Sequence, residues 1–357
     1  MKSSYPNSSN INKKAPDIDF RSDTVTQPCS QMRAVMSEAL VGDDVYSEDP
    51  SVNKLQQKVA KLLNKEAGLF VPSGTMSNLL AMMSHCERAD EAIVGDAYHI
   101  FSHEAGGASV LGSVVMQSIS TTAKGYISVG QVRHAIRPYN SHFAQSKLIC
   151  VENTVSGFVQ NQTELEAIAQ LAKEEGLSTH LDGARLMHAV VKSNSSAAQL
   201  AQPFDSVSLC LSKGLGAPAG SVLCGSKTLI DKARRLRKML GGGMRQAGVL
   251  AAAGIYALDN NIHRLQQDHD LAWYFGQQLN LIDQVSVDID NIETNMLFVQ
   301  FENALSSMNR VSISEFLLES GICITQGELS RMVVHLDISK DDVDFTLEKI
   351  KAYYQAQ

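Results

Sequence analysis

Apolar residues recur along this chain with two alternating periods. Val52–Leu63 carries them at helical spacing, Gly68–Val71 is a short apolar run, and Thr75–Cys86 returns to the helical spacing. Ala92–Gly95 and Lys147–Glu152 read as strands and Glu164–Glu175 as a helix. Ser178–Asp182, Ser206–Leu211 and Ser221–Cys224 again read as strands. Short apolar runs separated by helices predict an α/β fold with a mostly parallel central sheet and crossover helices. Such sheets bind ligands at the carboxyl ends of their strands. Lys227–Leu240 follows as a basic helix, Gln246–Leu258 as an Ala-rich one, and His263–Leu279 as a long helix.

After that helix the grain changes. Val285–Ile289, Met296–Phe301 and Met332–Leu336 read as strands, and Ser312–Glu319 and Lys340–Tyr354 as helices. This mixture predicts a small C-terminal α+β domain. The expected organisation is a flexible tail over 1–16, a large domain with an N-terminal arm over 17–270, and the small domain over 271–357.

Composition narrows the class. The 357 residues are 44% hydrophobic and 19% charged, with a formal net charge of -7. An acidic excess argues against nucleic acid as the main partner, because phosphate neutralisation needs clustered Lys and Arg. The basic run Lys232–Lys238 reads as a solvated helix face. No apolar run approaches the ~18 residues that suggest a transmembrane helix. Met1–Pro16 is rich in Ser, Asn and Lys and lacks the apolar core of a secretory signal. The six cysteines form no CxxC pair and no zinc-ligand cluster, so no metal site is expected. They read as buried reduced thiols of a cytoplasmic protein.

Three segments carry candidate chemistry. Ser212-Lys213-Gly214-Leu215-Gly216 follows a strand. A lysine there, flanked by glycines, can capture an aldehyde as a Schiff base; its plainer reading is a surface turn. His180-Leu181-Asp182-Gly183-Ala184-Arg185 also ends a strand. Asp182 could pair with a protonated pyridine nitrogen, or simply cap a helix. Arg185 offers a planar fork for a carboxylate, or an ordinary ion pair. Pro72-Ser73-Gly74-Thr75 joins a strand to a helix and could cradle a phosphate with helix amides and hydroxyls, or be a plain cap. Phosphate cradle, pyridine-nitrogen acid and Schiff-base lysine occur in the order seen in pyridoxal-phosphate (PLP) enzymes of the aspartate-aminotransferase fold.

Five motifs make the resemblance specific. Asp19-Phe20-Arg21-Ser22-Asp23-Thr24-Val25-Thr26, Gly42-Asp43-Asp44-Val45-Tyr46, Leu181-Asp182-Gly183-Ala184-Arg185-Leu186, Leu211-Ser212-Lys213-Gly214-Leu215-Gly216 and Gly241-Gly242-Gly243-Met244-Arg245-Gln246 resemble L-threonine aldolases, and are similar to the low-specificity bacterial group. The match runs from about residue 17 to the C-terminus. It implies PLP-dependent cleavage of L-threonine or L-allo-threonine to glycine and acetaldehyde, in a homodimer or homotetramer with shared sites.

The resemblance also implies roles. Lys213 holds PLP, Asp182 pairs with the ring nitrogen, and Ser73, Gly74 and Thr75 surround the phosphate. His99 stacks on the ring. Ser22, Arg185 and Arg331 bind the substrate carboxylate. His142 lies near the substrate hydroxyl, Arg245 reaches a phosphate, and Tyr46 borders the site. The base is His99, His142 or a water that a histidine positions.

This chain departs from the family pattern twice. Val155-Ser156 stands where the family often has His-Asn, and Ser47 follows Tyr46 where Gly is common. The alternatives are another PLP lyase of this fold, β-eliminating or serine-hydroxymethyltransferase-like, or a non-catalytic α/β scaffold.

Overall fold

The computed structural model describes residues 16–302 and 311–356, so the expected tail lies outside the described residues except for Pro16. The chain divides into two compact units. One is Gln27–His263; the other joins the segment up to Thr26 to Arg264–Gln357.

The strands, in chain order, begin with β1 (Ile18–Asp19). Seven form the central sheet of the larger unit: β2 (Ala67–Val71), β3 (Asp90–Gly95), β4 (Val115–Ile119), β5 (Gln145–Glu152), β6 (Ser178–Gly183), β7 (Ser206–Cys210) and β8 (Ser221–Gly225). Their order is β2-β8-β7-β6-β5-β3-β4. Only β8 runs against its neighbours, so the sheet is mostly parallel, as the pattern predicts. Every residue of β7 and β8 is buried. Strands covered on both faces need unbroken apolar or small sequence, which is why these runs were legible. β4 is the exception. It lies at the sheet edge, is half-exposed and mixes Gln117 and Ser118 with its apolar residues, so it gave no comparable signal.

Helices flank the strands, and several are capped by side chains. Asp49 caps Pro50–Leu62, with proline at its first turn. Its second carboxylate oxygen accepts from the Gly42 and Gly248 amides, tying the preceding loop to the Ala-rich helix Gly248–Asn260. Leu80, Ala81, Ile230 and Ala233 from Gly74–His85 and Lys227–Met239 pack on Leu69, Val71 and Leu223.

The smaller unit has a three-stranded antiparallel sheet, in which β10 (Met296–Phe301) lies between β9 (Val285–Val287) and β12 (Leu329–Val333). β9 is shorter than expected, because the chain turns into a 3-10 helix at Ile289. β12 begins three residues earlier than expected and stops at Val333, opposite Met296, where β10 begins. β1 pairs in parallel with β11 (Ile322–Cys323). The N-terminal arm, expected with the large domain, thus belongs to this unit. Phe20 is fully buried, its ring centroid 5.3 Å from that of Phe275, and Val333 donates its amide to Phe20 O at 2.8 Å. All six cysteines are free, and four are buried; Cys29 and Cys323 are only half-buried, which corrects the expectation for those two.

Phe20→Ala removes the ring that ties the arm to this core. It should cost about 3–5 kcal/mol. Denaturant unfolding checks the loss, and hydrogen exchange should place it in the smaller unit.

Candidate active site

The helix Gly74–His85 starts the site. Ser73 caps it, accepting from the Met76 amide at 3.2 Å. A Cβ on Gly74 would have one neighbour within 4 Å, the Ser221 hydroxyl at 3.5 Å. Among the described residues nothing else crowds that position, so packing does not require glycine there. Open space beside first-turn amides suits an anion. The Ser221 hydroxyl is buried and has no hydrogen-bond partner among the described residues. These features fit a phosphate group. Gly214 is different, because a Cβ there would overlap Nε2 of His188. Glycine after Lys213 is therefore a packing requirement.

Asp182 lies near the carboxyl end of β6 and is buried. Oδ1 accepts the Ala184 amide at 2.9 Å, and Oδ2 accepts Nδ2 of Asn78 at 2.8 Å. The same Nδ2 donates to Oε1 of Glu104 at 2.8 Å, and that oxygen lies 2.9 Å from Nδ1 of His99. His99 and Asp182, which the sequence places together, thus share a network through two residues that it did not single out. His99, Glu104 and Asp182 also bring three ligand-type atoms within 4.8 Å of one another. Asn78 already links the two carboxylates by hydrogen bonds. A carboxylate with two donors keeps further acceptor capacity, which fits a pyridine N–H.

Glu152, at the end of β5, is a third buried carboxyl. It accepts the His99 backbone amide at 2.6 Å. Burial pushes this carboxyl well above the usual range, and the Asp182 charge adds to the effect. The His99 amide, Lys213 and Arg185 oppose it. Lys213 and Arg185 therefore act on the same pocket of charge. Lys213 lies just past β7, and Arg185 precedes the helix Leu186–Ser193. Burial also raises Glu104, with the His99 and Asn78 contacts opposing.

The remaining candidates lie on other segments. Tyr46 is 72% exposed. Arg245 pairs with Asp43 at 2.9 Å, and its carbonyl accepts the Asp44 amide, so the two predicted loops are linked. His142 is exposed, its backbone amide bonded to Oδ1 of Asn140 at 2.9 Å. Ser22 and Arg331 belong to the smaller unit. Ser22 caps a short 3-10 helix, and Arg331 donates to Arg21 O at 3.0 Å. Sequence reasoning missed Asn78, Glu104, Glu152 and His180. Two had a signal: Glu152 ends a strand, and His180 alternates with Asp182 on the same strand face.

Two tests follow from this geometry. Gly74→Val would fill the open space without striking the fold. PLP affinity should fall by about tenfold or more, the size of a 1–3 kcal/mol clash, with the unfolding midpoint held. For His180, burial lowers the pKa from 6.5 to about 3. Between those values the unfolded chain binds a proton there that the folded chain does not. Stability from this group is complete above pH 6.5 and falls by about 1.4 kcal/mol per pH unit below it. His180→Gln should flatten the acid limb of a stability–pH curve.

Comparison with known proteins places the chain in a family. The model of the beta-eliminating lyase family matches residues 19–302. The chain is 45% identical to the low specificity L-threonine aldolase of Escherichia coli O157:H7, over 95% of this chain and 98% of that one. It is 42% identical to low-specificity L-threonine aldolase 1 of Arabidopsis thaliana, over 92% and 94%. Among solved structures, the threonine aldolase of Leishmania major superposes with a TM-score of 0.79 at 22% identity, covering 94% of this chain and 99% of that one. With so long a match at such identity, the chain belongs to the beta-eliminating lyase family and, within it, to the low-specificity L-threonine aldolases.

Proposed function

We propose that this protein cleaves L-threonine and L-allo-threonine to glycine and acetaldehyde, as a PLP-dependent carbon–carbon lyase. The observation that carries the reading is Asp182. It is a buried carboxylate, held by two donors at a strand end, and its charge acts on Glu152 as do those of Lys213 and Arg185.

Bound PLP supplies an electron sink for the charge left on the α-carbon when the Cα–Cβ bond breaks. The chain's own residues do the rest. Lys213 would hold the cofactor's aldehyde carbon. Asp182 would keep a proton on the pyridine nitrogen. Ser73, Gly74 and Thr75 would hold the phosphate, and Arg245 is assigned to the same anion. His99, whose Nδ1 is turned to Glu104, would cover the ring. Arg185 orients the substrate carboxylate; Ser22 and Arg331 keep the same assignment. Tyr46 borders the site. The base that takes the β-hydroxyl proton is a water positioned by His99 or His142.

The reading includes a homo-oligomer, dimer or tetramer. Leu40, Tyr46 and Met239 are each more than 60% exposed, and their segments pack together through Asp49, Gly248 and the Asp43–Arg245 pair. Large apolar side chains left exposed on linked segments favour an association face. Six unpaired cysteines fit a reducing cytoplasm. Among the described residues no helix is long and apolar enough to cross a membrane.

The test mixes protein, PLP and each threonine isomer and follows acetaldehyde. Release should vanish in Lys213→Ala. Arg185→Ala should lose about 2–4 kcal/mol of transition-state stabilisation in kcat/KM. Pyruvate from L-serine, with no acetaldehyde, would instead assign β-elimination.

A further inference from the structure

Asn78 sits at the end of a chain of hydrogen bonds that crosses from one helix through two strands and back. His85 Nε2 is 2.7 Å from the Ser206 hydroxyl, which is 2.8 Å from Nδ1 of His180. Nε2 of His180 is 3.2 Å from Oδ1 of Asn78. Nδ2 of Asn78 then reaches Asp182 and Glu104. Local geometry makes this possible. Asn78 and His85 are seven residues apart, on one face of the helix Gly74–His85. His180 and Ser206 are register partners on β6 and β7.

The directions of these bonds can be deduced. Only the amino side of the Asn78 amide can meet two carboxylates, so its oxygen faces His180. Nε2 of His180 must therefore carry a hydrogen. His180 is fully buried and its ring bonds to no carboxylate among the described residues, so it is neutral and its Nδ1 is an acceptor. The single hydrogen of the Ser206 hydroxyl is then committed to His180. It follows that Nε2 of His85 donates to Ser206. Burial holding both imidazoles neutral is consistent, with His85 lowered to about 4 and His180 to about 3.

We propose that Asn78 is a positioning residue for this reaction, its amide locked by the one-way chain His85–Ser206–His180 so that it fixes Asp182 and, through Glu104, the ring of His99. The amide cannot flip without placing its oxygen against two carboxylates and its N–H groups against the N–H of His180. One side chain thereby sets the two groups assigned to the cofactor's nitrogen and face. The catalytic part of this proposal rests on the PLP reading above; the chain itself does not.

The first measurement uses PLP-free protein labelled with 15N-histidine. Long-range 1H–15N spectra should show His180 and His85 both with hydrogen on Nε2 and a bare Nδ1 at neutral pH. The signals are assigned from His85→Gln and His180→Gln. In Ser206→Ala the Nδ1 signal of His180 should shift as it loses its donor. Hydrogen on Nδ1 of His180 at neutral pH would overturn the chain, whatever the protein catalyses.

The second measurement uses the loaded enzyme. Asn78→Ala should weaken PLP binding and lower kcat, each by about 10–100-fold, as for losing hydrogen bonds to a charged group, with KM nearly constant. Ser206→Ala, which leaves every residue assigned to the cofactor in place, should move both in the same direction by less. Unchanged PLP affinity and kcat in Asn78→Ala would overturn the positioning role. So would a loss seen only in KM. A wild type that shows the tautomers but takes up no PLP would overturn the PLP reading and the positioning role, and leave the chain standing.

Discussion

A carboxylate buried at a strand end is the constraint on which the rest depends. Leaving a buried charge without partners costs several kcal/mol, so Asp182 must be met by donors that the fold supplies. One comes from its own turn, the Ala184 amide. The other must come from elsewhere, and Asn78 provides it from a helix 104 residues back in the chain. That helix is placed by β2, which leads into it, and by the apolar packing of Leu80 and Ala81 on the sheet. The order β2-β8-β7-β6 and the crossover helices are thus what make one ionised side chain tolerable inside the protein. Ser73 and Gly74 use the same supports, since they form the start of the helix that carries Asn78.

Legibility in the sequence followed burial. β7 and β8 are covered on both faces, and their apolar runs announced them. β4, half-exposed at an edge, and the short helices around His99 and Gly107 have too few periodic positions to register. In the site, residues that lie on strand ends beside glycine turns could be singled out, as Asp182 and Lys213 were. Asn78 and Glu104 could not, because an amide inside an apolar helix and an acid in a loop acquire meaning only through partners distant in the chain. The arm over 17–26 carried a recognisable motif, yet its place came from pairing with β11 and from Phe20 meeting Phe275, contacts across some 250–300 residues that no local pattern encodes.

The departure at residue 155 also has a physical reading. Val155 is buried, and its side chain fills the space beside Gly125, whose φ is +79°. A Cβ on Gly125 would overlap it. Its backbone pairs with Phe158 across a tight turn. Position 155, one of the two departures from the family pattern, is here an apolar plug, which cannot bind or move a proton.

The helix Gly74–His85 carries its first residue Gly74, its Asn78 amide and its terminal imidazole at intervals of four and seven residues. An α-helix turns by about 100° per residue. A single residue inserted after Gly74 would swing Asn78 and His85 by roughly a quarter-turn relative to the helix start, with every side chain still present. The helix therefore acts as a camshaft, whose lobes work only at one angular setting. Along this stretch, length is under tighter constraint than the identity of most of its residues.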